Sequence, residues 1–257
     1  MNQSERRNYL IQKLLEEQPQ YAKMQIPGRC EEQKMLLRSL MNIRMPGKIN
    51  KEFQQIQDAY LAEENAAKGV VTPADMEELS PEIYLWKGDI TRLQVGAIVN
   101  AANSGMTGCY QPCHNCIDNC IHTYAGIELR NYCNDIMQRQ GYAEPTGQAK
   151  ITPAFNLPCD YVIHTVGPIV QGRLTEEHER LLVSCYEACL RIAEENNIES
   201  IAFCCISTGV FMFPNERAAE LAIQTVKQYK DRTKSKIKVI FNVFKEEDER
   251  IYRRFLG

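Results

Sequence analysis

The residues best suited to chemistry lie in one short stretch near the middle of the chain. Its cysteine and histidine side chains are Cys109, Cys113, His114, Cys116, Cys120 and His122. Zinc prefers thiolate and imidazole ligands, and a catalytic zinc site uses three protein ligands and leaves a fourth position open. Cys109, His114 and Cys116 offer such a set within eight residues. Their spacing predicts a site for Zn²⁺.

Polar residues stand on both sides of these three ligands. Asn100 and Asn103 precede them, and Asp118 and Asn119 follow them. Amide and carboxylate groups are hydrogen-bond donors and acceptors. At these positions they could hold and orient a polar ligand beside the metal.

Two other interpretations of the cysteines stay open. Cysteine is among the most buried residue types, and the chain has 11 of them, so some clustering reflects core packing alone. Cys109, Cys113, Cys116 and Cys120 could instead hold an iron–sulfur cluster, although their spacing does not match the known ferredoxin runs.

Composition and charge limit the class of protein. The 257 residues suffice for one large domain with an extension, and 44% of them are apolar, as in ordinary globular proteins. The net charge of −3 and the pI of about 5.9 provide no basic field, so we expect no nucleic-acid partner.

Location follows from the same composition. Apolar runs such as residues 201–206 are too short to span a bilayer, and the charged N-terminus has no apolar signal segment. We therefore expect a cytoplasmic monomer with no membrane partner. Thiols stay reduced in the cytoplasm, so clustered cysteines there more often indicate metal binding or reactivity than disulfides.

The first part of the chain predicts three amphipathic helices, over residues 4–17, 30–44 and 50–64, with Ser4 as the first cap. Their apolar stripes are Tyr9, Leu10, Leu14, Leu15, Met35, Leu36, Leu40, Ile43, Phe53, Ile56, Tyr60 and Leu61. These stripes indicate a helical layer that packs on something larger and carries no chemistry of its own. Residues 65–81 are typical of a mixed linker. We place an N-terminal helical extension at residues 1–75 and a second domain at residues 76–257.

Strand and helix patterns alternate after the linker. The predicted strands are residues 83–86, 97–99, 148–152, 161–165, 201–206 and 237–243, and the predicted helices are residues 116–140, 175–196, 215–230 and 247–255. This alternation predicts an α/β fold with a central sheet covered by helices on both faces. Ligands in such folds bind outside the carboxyl ends of the strands, where the polar loops after Trp86, Val99 and Ile206 should meet.

Four motifs together resemble the macrodomain family, which binds ADP-ribose. NAAN at residues 100–103 precedes a glycine-containing loop, and GCYQPCHNCIDNCIH at residues 108–122 resembles the insertion that marks the zinc-containing branch. PTGQAKITPAFNLPCDYVIHTVGP at residues 145–168 and ISTGVFMFPNERAA at residues 206–219 are similar to the same branch, in the same order. The resemblance extends over roughly residues 80–257. It implies a three-layer α/β/α fold with a central mixed sheet. It also implies a hydrolase that removes ADP-ribose from mono-ADP-ribosylated proteins.

The resemblance also implies roles for two further loops. Asp89 could simply cap the turn that follows it, but an acid at this position in the family binds adenine, with Ile90 lying against the nucleotide through its backbone. The loop at residues 207–211 could be an ordinary strand–helix connection. The family places the pyrophosphate on it, since N–H groups at a glycine turn before a helix bind anions. Met212 follows the aromatic residue where relatives usually carry glycine.

The implied ligands and contacts can be given residue by residue. The family's metal ligands correspond to Cys109, His114 and Cys116. We expect Asn103 and Asp118 to be catalytic. The residues that we expect to contact ADP-ribose are Asp89, Ile90, Asn100, Asn103, Ile117, Asp118, Asn119, Ser207, Thr208, Gly209, Val210 and Phe211.

Other polar groups and cysteines lie near these residues. Asp118 is either a base or orienting group, or a helix N-terminal acid favoured by the macrodipole. We expect core burial for Cys120 and structural roles for His122 and His164. Cys113 lies between two ligands and could compete for the metal.

Two classes of function remain after the sequence has been examined. In a hydrolase, zinc beside the distal ribose would act as a Lewis acid or make a water molecule more acidic. In a binding module that cleaves nothing, zinc would be structural. A fourth protein ligand, most plausibly Cys113, would close the site and favour the binding module.

Overall fold

The computed structural model describes residues 1–21 and 23–257. The strands in these ranges are β1 (Glu77–Ser80), β2 (Ile83–Lys87), β3 (Ala97–Ala101), β4 (Ala149–Pro153), β5 (Tyr161–Thr165), β6 (Ser200–Phe203) and β7 (Lys238–Val243). The α-helices are α1 (Gln3–Glu16), α2 (Cys30–Ile43), α3 (Lys51–Ala67), α4 (Ile117–Ala125), α5 (Ile127–Gln140), α6 (Glu176–Glu195), α7 (Asn215–Thr233) and α8 (Glu246–Leu256). The predicted α/β fold, with a three-layer arrangement and N-terminal helices, is confirmed.

The sheet is mixed, with parallel strands in its centre. Its order is β1-β2-β7-β6-β3-β5-β4, and only the edge pairs β1/β2 and β4/β5 are antiparallel among the described strands. The neighbours from β2 to β5 pair in parallel. Because parallel strands end at the same edge, the loops after Lys87, Ala101, Thr165, Phe203 and Val243 lie along one side of the sheet.

Burial on both faces explains the apolar sequences of the central strands. Ile98, Val99, Ile163, Ile201 and Val239 have no exposed surface. Strands that are covered by helices on both sides read as continuous apolar runs rather than as alternating ones. Helices α6, α7 and α8 pack side by side, and α4 and α5 form a second group that also contacts the N-terminal helices. This core fixes the strand ends that carry the polar loops.

The N-terminal helices form a core of their own. Leu10, Leu14, Leu40 and Tyr60 are buried in it together with Ile127, the first residue of α5. The predicted stripes are therefore correct in most positions. Met35, however, is 57% exposed, because the buried face of α2 runs through Leu37, Leu40 and Met41 instead. The first cap is Asn2 rather than Ser4, since the Asn2 side chain accepts from Glu5 N.

Two features of the elements differ from the sequence prediction. The helix predicted over residues 116–140 is broken at Gly126, whose φ of 102° lies in the left-handed region that favours glycine. Strand β1 falls inside the predicted linker, because its short, acidic sequence Glu77–Ser80 carries no apolar alternation. Val71 already packs in the main core and bonds Arg92 and Gln94 through its backbone. The domain boundary at residue 75 remains a prediction.

No helix in the described part of the chain is both long and apolar enough to cross a membrane.

Candidate active site

The three predicted metal ligands converge in the loop between β3 and α4. The ligand atoms of Cys109, His114 and Cys116 all lie within 4.8 Å of one another, and Cys109 Sγ is 3.7 Å from His114 Nδ1. All three side chains are half-buried. Cys116 is the N-cap of α4, and burial raises the pKa of its thiol. Two thiols and one imidazole at this separation fit zinc, and three ligands leave a coordination position open.

Cys113 faces away from this group. Its Sγ lies 3.2 Å from Ser39 Oγ and 3.4 Å from the Met35 carbonyl oxygen, both on α2. The backbone of Cys113 has a φ of 52°, and its side chain is directed toward α2. The geometry therefore does not place Cys113 as a fourth ligand.

Cys120 also lies apart from the three ligands. Its Sγ is 3.6 Å from Arg38 Nη2, and it is half-buried rather than part of the core, which corrects the expected core burial. With Cys113 and Cys120 both turned elsewhere, the four thiols do not converge as an iron–sulfur cluster requires.

Asn100 on β3, Asp118 on α4 and His164 on β5 form a buried hydrogen-bonded group next to the predicted ligands. The register of β3 and β5 pairs Asn100 with His164, and Asn100 Nδ2 lies 3.1 Å from His164 Nδ1 and 2.8 Å from Asp118 Oδ1. Asn100 has no exposed surface, so its influence on a ligand has to pass through Asp118. Burial raises the pKa of Asp118 to about 6, although hydrogen bonds from Asn100 and Asn103 act against that rise.

Asn103 links this buried group to the loop between β3 and α4. That loop carries Cys109, His114 and Cys116, and we call it the metal loop. Its Nδ2 donates to the Gly108 carbonyl at 3.1 Å and to Asp118 Oδ2 at 3.3 Å. Its Oδ1 accepts from Gly105 N at 2.9 Å. Gly108 directly precedes the ligand Cys109. One side chain thus contacts both Asp118 and the residue that precedes the first predicted ligand.

His122, Cys133 and His164 form a second close group, entirely in the interior. Burial lowers the pKa of His164 to about 3, and its Nε2 lies 3.0 Å from Thr152 Oγ1. Burial lowers the pKa of His122 as well, and the neighbouring His164 and Arg130 lower it further. Two neutral imidazoles in the core agree with the structural role predicted for both histidines. Cys133 lies within the same group, although nothing in its sequence position pointed to the two histidines.

Asp89 forms the cap that was predicted as one alternative, and its second carboxylate oxygen is not used by that cap. One oxygen, Oδ1, accepts from Thr91 N at 3.0 Å and from Thr91 Oγ1 at 2.7 Å, so the residue caps a short 3₁₀ turn. The other, Oδ2, lies 3.5 Å from Lys68 Nζ, and the side chain is 37% exposed. Ile90 is buried and offers a ligand only its backbone.

Two residues near Asp89 were not singled out from the sequence. They are Lys68, which pairs with Asp89, and Phe244, which directly follows β7. Lys68 follows α3, and burial lowers its pKa to about 8. Phe244 directly follows β7 and is 78% exposed, and Gly88 N donates to the Val243 carbonyl beside it. The signal available in the sequence was an aromatic residue directly after the last predicted strand. The signal for Lys68 was weak, because a lysine after a helix is common.

The predicted phosphate loop follows β6 and leads into α7. The N–H groups of Thr208, Met212 and Phe213 bond within the loop. Those of Gly209, Val210 and Phe211 have no protein acceptor among the described residues, as an anion site requires.

Met212 takes a left-handed conformation in this loop. Its φ is 54°, in the left-handed region that favours glycine. Its side chain is 61% exposed and therefore fits without displacing the loop.

Asn119 has its side chain inside the protein. Its Nδ2 donates to the carbonyls of Cys109 and Gln111, its Oδ1 accepts from Arg38, and it has no exposed surface. The Asn119 side chain therefore stabilises the loop that carries Cys109, and it is not free to contact ADP-ribose. Ile117, at the first turn of α4, is half-buried beside it.

The fold and this edge of the sheet define an α/β protein whose site lies where the parallel strands end. Residues 99–222 match the Macro domain family. A protein-ADP-ribose hydrolase of Treponema medium is 56% identical over 261 residues, which cover 100% of both chains. The chain belongs to the macrodomain family.

Two solved structures are similar in fold. The Oceanobacillus iheyensis macrodomain with ADP has a TM-score of 0.63 and 34% identity, covering 70% of this chain and 93% of that one. The Trypanosoma brucei macrodomain in complex with ADP-ribose has a TM-score of 0.67 and 26% identity, covering 86% of this chain and 95% of that one.

Proposed function

We propose that the protein is a zinc-dependent hydrolase that removes ADP-ribose from mono-ADP-ribosylated proteins. The observation that carries this proposal is the set of three converging ligands beside Asn103 and Asp118, with Cys113 turned toward α2. The names of its relatives and their bound nucleotides support the substrate class. A closed four-ligand site would instead have favoured a binding module with structural zinc.

The ligand would lie along the carboxyl edge of the sheet. Asp89 accepts from the adenine amino group, and the backbone of Ile90 and the ring of Phe244 flank the base. The free N–H groups of Gly209 to Phe211 bind the pyrophosphate. Ser207 and Thr208 shape that loop, and Phe211 packs over the distal ribose. This arrangement directs C1″ of the distal ribose toward the metal loop.

Cys109, His114 and Cys116 would hold the metal. When bound, zinc supplies Lewis-acid chemistry at the distal ribose. Asn103 orients the ribose, and Asp118 holds the Asn103 amide in place and serves as the nearest proton acceptor. Asn100 and His164 keep Asp118 in position from the interior, and Asn119 steadies the ligand loop. Binding energy from the nucleotide is used to place the bond that is cleaved.

The direct test of this proposal is release of ADP-ribose from purified mono-ADP-ribosylated proteins that carry different side-chain linkages. We expect single-turnover release from at least one linkage class. Binding of free ADP-ribose together with no release from every linkage would identify a binding module instead.

Replacing Asp89 with alanine should weaken the binding of ADP-ribose by about 1–3 kcal/mol, because it removes a charged hydrogen-bonding partner. Zinc content should stay the same, since Asp89 lies on a different strand end from the metal ligands. Calorimetry with free ADP-ribose measures the effect.

The matched control for this change is Asp160→Ala, an exposed aspartate next to the amino end of β5, at the opposite edge of the sheet. It should bind as the wild type does. Wild-type affinity in Asp89→Ala would leave Asp89 as a cap for the 3₁₀ turn only.

A further inference from the structure

Arg38 is one of several α2 residues that contact the loop carrying Cys109, His114 and Cys116. Arg38, on α2, donates from Nη2 to the His114 carbonyl at 2.7 Å and to Asn119 Oδ1 at 3.0 Å. The same nitrogen lies 3.6 Å from Cys120 Sγ. A terminal guanidinium nitrogen carries two N–H groups, so Nη2 alone can donate to two acceptors on different segments. Arg38 thus joins one metal ligand's backbone to the first turn of α4.

Asn119 passes this contact on to the other two ligands. Its Nδ2 donates to the Cys109 carbonyl at 3.3 Å and to the Gln111 carbonyl at 2.9 Å. Its backbone N–H donates to Cys116 Sγ at 3.4 Å. Arg38 and Asn119 together therefore contact all three ligand residues, and neither of them offers a metal ligand itself.

A second set of contacts fixes the same helix to the loop. Arg130 Nη1 donates to the carbonyls of Met41, Asn42 and Arg44 at the end of α2, and Arg130 Nε donates to the Thr107 carbonyl at 2.8 Å. Asn42 Oδ1 accepts from Cys113 N at 2.9 Å. These bonds set the position of α2, and with it the position of Arg38, relative to the ligands.

We propose that the N-terminal extension is a positioning element of the metal site, which acts through Arg38 and Asn119. The inference rests on the proposed function, because it requires that Cys109, His114 and Cys116 bind zinc. These ligands lie on a loop whose left-handed turns at Gly108 and Cys113 give it no regular ladder of its own. Groups that orient metal ligands from outside determine how tightly and in which geometry the metal is held.

The test compares Arg38→Ala with Lys34→Ala. Lys34 lies one turn earlier on α2 and pairs with Glu64 at 3.0 Å, so its removal perturbs the same layer without touching the loop. Competition with a chelator for zinc is measured first. From competition with the chelator, we expect the zinc affinity of Arg38→Ala to be roughly 10- to 100-fold weaker, the usual effect of losing a group that orients a metal ligand. The zinc affinity of Lys34→Ala should match the wild type.

Cobalt substitution gives a spectroscopic signature of the ligand geometry. In the Co²⁺-loaded protein we expect Arg38→Ala to alter the visible bands, whereas Lys34→Ala should not. Single-turnover release should fall with little change in affinity for free ADP-ribose. Arg38→Lys keeps the charge but not the position of the donating N–H groups, and should give an intermediate effect. It replaces Arg38→Ala as the test variant if Arg38→Ala folds poorly. The loss of zinc affinity in the double variant Arg38→Ala/Asn119→Ala should be smaller than the sum of the losses in the two single variants. Both side chains act in one hydrogen-bond network.

Wild-type zinc affinity and an unchanged cobalt spectrum in Arg38→Ala would overturn the proposal, as would equal losses in Lys34→Ala. Failure of the proposed function looks different. A wild-type protein that holds zinc but releases no ADP-ribose would refute the hydrolase, while the zinc and cobalt measurements would still decide the role of Arg38. A wild-type protein that holds no zinc would refute both.

Discussion

Cys116→Ala will lose the metal and nearly all turnover, and will keep most of its affinity for free ADP-ribose. Cys116 is one of the three proposed ligands, and a site with only two should retain zinc poorly. In the proposed arrangement, the adenine and pyrophosphate contacts would come from Asp89 and the Ser207–Phe211 loop, on the ends of other strands. We expect single-turnover release to fall by a factor on the order of 10³, since metal stabilisation in the transition state is worth several kcal/mol.

The measurement pairs single-turnover release with calorimetric binding and metal analysis on the same preparation. Cys113→Ser is the matched control, because it changes a thiol between the same two ligands and can still bond Ser39. It should keep both zinc and turnover. A melting curve is also needed, since Cys116 caps α4 and the loss of a cap costs about 1 kcal/mol. Loss of zinc in Cys113→Ser, or equal losses of binding and turnover in Cys116→Ala, would contradict this expectation.

Asn103→Ala should lose turnover and retain zinc. Its side chain bonds Gly108, Gly105 and Asp118, so it sits between the metal loop and the buried acid without being a ligand. Removing a preorganised polar group of this kind from a reacting centre should lower the rate by roughly 10²- to 10³-fold. Affinity for free ADP-ribose should change much less, because the distal ribose is only one part of the ligand.

Asn196→Ala is the control for Asn103→Ala. Asn196 ends α6 beside the amino end of β6, at the opposite edge of the sheet, and bonds only its own helix among the described residues. It should show wild-type release. Stoichiometric zinc with normal release in Asn103→Ala would remove Asn103 from the chemistry and leave it as a loop support.

Local pattern was enough to predict most of the fold. The β3 and β5 strands, for example, follow from apolar runs that only a sheet covered on both faces can bury. Gly126 could not be predicted as a break, because the apolar spacing continues through it and only its backbone conformation separates α4 from α5. Strand β1 is an edge strand with little burial, so its sequence carried no apolar signal.

The candidate site was predictable where its residues adjoin one another in sequence. Cys109, His114 and Cys116 could be chosen from spacing, whereas the direction of the Cys113 thiol depends on a left-handed φ and on a neighbour from α2. The roles of Arg38 and Lys68 depend on contacts across long stretches of sequence, 76 residues between Arg38 and His114. An amphipathic stripe predicts the buried face of α2 and says nothing of what its polar face touches.

In the proposed mechanism, zinc serves the reaction at the distal ribose and is not needed for nucleotide binding. The most direct test measures single-turnover release of ADP-ribose and calorimetric affinity for free ADP-ribose on wild-type protein, before and after removal of zinc by a chelator, with folding followed by a melting curve. We expect release to be lost and then restored when zinc is added back, while affinity is largely kept in the chelated, folded protein. Undiminished release of ADP-ribose from folded protein that contains no zinc would show that zinc is not needed for the reaction.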